Sequence, residues 1–155
     1  MKVSIKHNDG MEFEAKTEKN TFIVNPKGGI SPIEFFSVGL IACSGTDMVA
    51  IPESQGLKVE NLSIEADITR AQEMPKKFDE IHMTYIFNST TDATTASRWV
   101  QGSIETYCST INTVRGVSKI TYSIIYNGET IADKKEIISG APTTDFGEIG
   151  GACPS

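Results

Sequence analysis

Residues 31–53, SPIEFFSVGLIACSGTDMVAIPE, constrain the fold of this chain more than any other segment. Ser31 is a good N-cap, Pro32 fits the first helical position, and Glu34 completes a capping box, so the segment opens as a helix. Pro52 marks its expected end. In between, apolar or small residues cover nearly every side, which predicts a helix buried all round. Gly39 and Gly45 each cost about 1 kcal/mol relative to alanine and suit the close approach of another backbone. Such a helix needs more cover than one small sheet supplies, and a second copy of the chain is the expected source.

The flanking segments read as strands. Val3 and Ile5 alternate with polar residues, Met11, Phe13 and Ala15 repeat the pattern, and Asn8-Asp9-Gly10 between them signals a hairpin. Residues 21–25, TFIVN, make a third short strand. Beyond the helix, Leu62, Ile64, Ala66 and Ile68 line one face of a fourth strand, and Ile81, Met83, Tyr85 and Phe87 one face of a fifth. Ala96, Trp99, Val100, Ile104, Tyr107, Cys108 and Ile111 then recur at helical spacing, Gly116 closes that helix, and SKITYSIIYNG is the last strand. Strands and helices segregated in this way indicate an α+β domain of antiparallel sheets. The domain is expected to span residues 1–131. Residues 132–155 lose periodicity and read as a tail, flexible or draped on the domain.

The formal charge of −6 in 155 residues argues against a nucleic-acid surface. The N-terminus alternates apolar and polar residues without a signal-peptide core, and no apolar stretch is read as reaching the roughly 18 residues of a membrane span. The expected setting is the reducing cytoplasm, with no membrane partner. Three cysteines are too few for a disulfide scaffold, none forms a C-x-x-C pair, and the two histidines lie elsewhere, so neither zinc nor another cofactor is expected. A cysteine pair in that compartment is more suited to transient, catalytic bonding than to structure.

Cys43 lies within the apolar helix and Cys108 on the apolar face of the second, near its C-terminal end, where local unwinding allows movement. Two readings stand: small hydrophobes in a core, or two thiols brought together where the helices cross.

Four stretches add a resemblance. SPIEFFSVGLIACSGTDMVAI, MPKKFDEIHMTYIF, ETYCSTINTV and SKITYSIIY are similar, in that order, to the first core helix, the following turn and strand, the second cysteine motif and the closing strand of the OsmC/Ohr family. The family is named for osmotically inducible protein C and organic hydroperoxide resistance protein. Within it, CSGTDMV looks closer to a less characterised OsmC-like branch than to the established hydroperoxide reductases. The resemblance implies an intertwined homodimer, with antiparallel sheets from both chains around two central helices. It also implies a thiol peroxidase for organic hydroperoxides, in which Cys43 attacks, Cys108 resolves, and a dithiol, such as that of a lipoyl protein, restores both.

The hydroperoxide-reductase branch pairs an N-terminal arginine with a glutamate at the start of the first helix. Here no arginine precedes Arg70, Lys27 is the only basic residue in the loop leading into the helix, and counting from Pro32 puts the glutamate position on Ile33. Glu34 therefore stands between a supporting role and the capping box. Asp47, four residues from Cys43, either orients a donor near the thiol or satisfies a buried polar group across the dimer. His82 is expected at a surface or sheet edge, Trp99 and Tyr107 in the core or a pocket wall, and Cys153 in the tail as an exposed thiol. A non-catalytic binder of a small hydrophobic ligand and a slow redox sensor are the rival functions.

Overall fold

The computed structural model describes residues 1–137 and 144–152. The chain divides into two compact units, one built from Met1–Leu40 and the other from Ile41 onward. In the first, β1 (Ser4–His7), β2 (Phe13–Lys16) and β3 (Thr21–Val24) form an antiparallel sheet. Gly10 takes a positive φ of 55° in the β1–β2 connection, where the Asn-Asp-Gly signal placed a turn.

Helix α1 (Pro32–Ser54) begins in this unit and ends in the other. The capping box forms: the Ser31 N–H and Oγ donate to Glu34 Oε2 at 2.8 and 2.6 Å, and the Glu34 N–H returns to Ser31 Oγ at 3.3 Å. Pro52 does not end the helix but lies inside it. Proline disturbs the turn before it rather than the turn after it. The stop comes at Gly56, with φ 72°, where the Gln55 and Leu57 N–H groups close on Pro52 O.

The second unit carries a four-stranded sheet in the order β4 (Glu60–Arg70), β5 (Phe78–Asn88), β6 (Lys119–Tyr126), β7 (Glu129–Glu136). Two expectations are corrected here. The sheet is mixed: β5 and β6 pair in parallel, Tyr85 opposite Ile124, because the helical connection between them is long enough to return the chain in the same direction. Strand β7 runs across residue 132, where the domain was expected to end. It pairs antiparallel with β6 around Asn127-Gly128, both at positive φ.

The expected single second helix is three pieces: α2 (Ala93–Gly102), a π-helical turn over Ser103–Tyr107, and α3 (Ser109–Val114). Asp92 caps α2 by accepting from the Thr95 N–H at 3.0 Å. These pieces cover the sheet, and Met48, Ile51, Ile81, Met83, Tyr85, Trp99, Ile104 and Ile111 are fully buried. Residues 144–152 return over the helices, and Phe146 lies so close to Gly102 that a Cβ there would sit 2.6 Å from the ring.

Two further expectations change. Helix α1 is not buried all round in the single chain: Phe35, Phe36 and Val38 stand 43, 47 and 52% exposed. By length and composition it also meets the requirement for a membrane span, with a mean hydropathy of 1.5, contrary to the sequence reading. Its Ser44 and Asp47 are nevertheless buried in hydrogen bonds to other elements, as in a core helix.

Candidate functional site

Cys43, Ser44 and Asp47 lie within one turn of α1 in the second unit. Cys43 is half-buried, and its Sγ lies 3.9 Å from Ser109 Oγ in the first turn of α3. Cys108 immediately precedes that turn and is fully buried. It stands at the break between the π turn and α3 with extended backbone (φ −70°, ψ 104°), and its Sγ is 3.3 Å from Thr110 Oγ1. Burial pushes the Cys108 thiol up to about 12, against the lowering effect of bonds from Thr110 and the Ile111 backbone. The Cys43 thiol, by hydrogen bond and charge, adds to that rise. Helix α1 thus sets the Cys43 thiol against Ser109, the residue next to Cys108.

Asp47 is fully buried and ends a chain of hydroxyls. Tyr85 OH is 2.7 Å from Ser44 Oγ, Ser44 Oγ is 2.7 Å from Ser103 Oγ, and Ser103 Oγ donates to Asp47 Oδ2 at 3.1 Å. With Ser103 spending its proton on the carboxylate, Ser44 donates to Ser103 and Tyr85 to Ser44, so each bond polarises the next. Burial is the main cause that pushes the Tyr85 hydroxyl up, with Cys108 and Asp47 adding to it. The carboxylate thus satisfies the buried Ser103 hydroxyl of the π turn within the chain, where a contact across the dimer was expected, and Tyr85 of β5 is linked to it only through Ser44 and Ser103. Sequence reasoning missed Ser44, Ser103 and Tyr85 as polar partners. Small hydroxyls on apolar faces carry no periodic signal, and the only hint was serine at a position meant for the core.

Glu34 is engaged by Ser31, whose hydroxyl and backbone N–H hold its carboxyl below its usual range. Trp99 is core, and its Nε1 donates to Gln55 Oε1 at 2.9 Å. Tyr107 instead holds the returning segment: its hydroxyl accepts from the Phe146 N–H at 2.6 Å and donates to Asp145 Oδ1 or Gly147 O, each 2.9 Å away. The Thr106 hydroxyl donates to Thr144 O beside it. His82 is on an internal strand rather than an edge, half-buried between Thr121 Oγ1 at 2.8 Å and Ser123 Oγ at 3.3 Å. Cys153 lies outside the described residues. Among the described residues, no group of three His, Cys, Asp or Glu is placed to hold a metal ion.

Residues 25–123 match the family model described as OsmC-like protein, a span that includes both cysteines and the strands and helices between them. The chain belongs to the OsmC-like family. Comparison with curated proteins found no match. Several solved structures share the fold. The OsmC-like protein of Mycoplasma pneumoniae has a TM-score of 0.72 at 17% identity, covering 81% of this chain and 95% of its own. The organic hydroperoxide resistance protein OhrB of Bacillus subtilis gives 0.55 at 20% identity, covering 79% and 96%. The organic hydroperoxide resistance protein OsmC of Legionella pneumophila gives 0.60 at 17%, covering 80% and 96%. Each OsmC-like relative is thus matched over nearly its whole length, and at these identities the likeness is one of fold.

Proposed function

We propose that this OsmC-like protein is a thiol-dependent peroxidase that reduces organic hydroperoxides through Cys43 and Cys108. The observation that carries the proposal is the pairing of a half-buried thiol with a fully buried one at a helix break. The more accessible Cys43 attacks the distal oxygen as thiolate, the O–O bond breaks, an alcohol leaves, and Cys43 becomes a sulfenic acid. Cys108, held protonated by burial and by its neighbour, keeps from competing for the peroxide. Its sulfur then displaces the sulfenic oxygen as water, forming a disulfide, which a dithiol such as a dihydrolipoyl group reduces. The printed names of the Bacillus and Legionella relatives support organic hydroperoxides as the substrate class.

Asp47 supports the site by anchoring the hydroxyl chain, and Glu34 serves the helix cap. The exposed Phe35, Phe36 and Val38 support a homodimer that covers α1 with a second copy, and two cysteines held as thiols suit a reducing, cytoplasmic setting.

A second reading, a non-catalytic binder of a small apolar molecule, is favoured by one feature of the first unit. A cavity of about 570 Å³ there is lined by Ile5, Phe13, Phe22, Val24 and Phe35. It predicts ligand binding that survives the double change Cys43→Ser, Cys108→Ser.

Stopped-flow oxidation of the reduced protein by cumene hydroperoxide, with peptide mass mapping, tests the peroxidase. Rapid loss of two thiols into a Cys43–Cys108 disulfide, abolished by Cys43→Ser, is expected. Oxidation no faster than that of a free thiol, or a product centred on Cys153, rules the peroxidase out.

A further inference from the structure

The π-helical turn before Cys108 is held open from outside the helix. In an α-helix the N–H of Cys108 closes on the carbonyl four residues back, Ile104 O. Here it closes on Ser103 O at 2.8 Å instead, five residues back. Ile104 O accepts from Arg115 Nη2 at 2.7 Å and from Asn112 Nδ2 at 3.4 Å. Asn112 Nδ2 also donates to Cys108 O at 2.8 Å, and the Asn112 backbone N–H reaches the same oxygen at 3.1 Å. Side chains from α3 and its C-cap thus occupy the carbonyl that a regular helix needs and grip the backbone of the cysteine itself. The guanidinium bond is charge-assisted, the stronger of the kinds available to a carbonyl.

Removing these donors opens a competing arrangement. With Ile104 O released, the N–H of Cys108 can close on it, and the helix regains regular pitch by absorbing one residue. Each residue turns an α-helix by about 100°, so Cys108 rotates off the side where it meets Cys43.

We propose that Arg115 and Asn112 are positioning residues for the resolving step: by holding the π-helical turn open they keep Cys108 facing Cys43. The inference rests on the two-cysteine reading. In that step a bond forms between the Cys108 and Cys43 sulfurs, the S–O bond of the sulfenic acid breaks, and its oxygen leaves with the Cys108 proton as water.

The test separates two rates in single turnover on full-length protein. Consumption of cumene hydroperoxide reads the attack by Cys43. Disulfide formation, with dimedone trapping of the sulfenic acid, reads resolution. In Arg115→Ala and Asn112→Ala the first rate should move by less than about twofold, while disulfide formation slows about tenfold or more and trapped sulfenic acid accumulates at Cys43. Arg115→Lys keeps one donor for Ile104 O and should recover resolution to within about threefold of wild type. A ratio of the two rates equal to wild type in the alanine variants overturns the proposal, as does an equal fall in both. If Arg115→Ala does not fold, Asn112→Ala alone is judged by the same ratio. Diamide, which couples thiols without peroxide, separates this inference from the peroxidase. Slow diamide coupling in the variants upholds the positioning role even where the wild type ignores the hydroperoxide, and unchanged coupling overturns it.

Discussion

Gly102→Ala tests whether the C-terminal segment is held where the fold places it. The backbone at Gly102 is helical (φ −58°, ψ −47°), so alanine in isolation favours α2 by about 1 kcal/mol. The new Cβ, however, falls 2.6 Å from Phe146 Cε2 and 3.1 Å from Cδ2. Favourable carbon contacts lie at about 3.5–4.0 Å, so the ring has to move by roughly 1 Å. It cannot do so freely, because its own N–H is tied to Tyr107 OH and its face lies 5.5 Å from the Arg98 guanidinium. The penalty is capped by the energy of letting the segment go. Half-burial of a phenylalanine contributes roughly 1 kcal/mol, and each bond at Tyr107 a net of about 1 kcal/mol, so docking amounts to about 2–4 kcal/mol. Hydrogen exchange of the 144–152 peptide should therefore accelerate in Gly102→Ala, by up to about thirty- to a thousandfold where the segment is released, while the core strands keep their protection. On a Phe146→Ala background the clash is gone, so Gly102→Ala should there raise the melting temperature above that of Phe146→Ala alone. Unchanged exchange of that peptide in the single variant refutes the packing argument.

Other outcomes follow from the site. Ser103→Ala takes a donor from the fully buried Asp47 and breaks the chain to Ser44, so urea denaturation should show a loss of about 2–3 kcal/mol; a loss below 0.5 kcal/mol means the network adds little. A Cys43–Cys108 disulfide closes a loop of 108 − 43 = 65 residues, and the oxidised protein should be more stable than the reduced one by up to about 4 kcal/mol in thermal unfolding. The Cys108 thiol, raised to about 12 when folded, stays protonated while the unfolded chain ionises from its ordinary 9.0 upward. Its contribution is therefore complete below pH 9 and is lost between pH 9 and 12 as pH rises; Cys108→Ala should flatten that part of a stability–pH curve. Iodoacetamide at pH 8 should label Cys43 before Cys108, and the reverse order counts against the assigned roles.

Much of the fold was legible because its signals are local. Ser31, Pro32 and Glu34 sit together at one helix start, and the alternation of Ile81, Met83, Tyr85 and Phe87 needs no knowledge of partners. Strand β7 escaped because it is an edge strand whose lysines and glutamates face water, with Ala132 its only buried residue. The Asn127-Gly128 pair was the usable hint, since both take the positive φ of a tight hairpin. Parallel pairing of β5 and β6 has no local signature at all. The break at Cys108 was half-visible: unwinding near the end of that helix could be anticipated, but its cause lies in the reach of Arg115 back to Ile104. The nearness of the two cysteines follows from how the elements fold over one another, which sequence spacing does not encode.

Parallel pairing of β5 with β6 also orders events during synthesis. When β5 has emerged, its hydrogen-bonding edge toward β6 stays open until the chain has run through α2, the π turn and α3 and reached Lys119. A strand bearing Ile81, Met83, Tyr85 and Phe87 therefore waits with an unpaired edge, the condition under which nascent chains stick to one another. Closing so long a connection is slow compared with making a hairpin. Until it closes, Cys43 is an ordinary thiol on an unfinished polypeptide, and its chemical neighbourhood is among the last things the ribosome's product acquires.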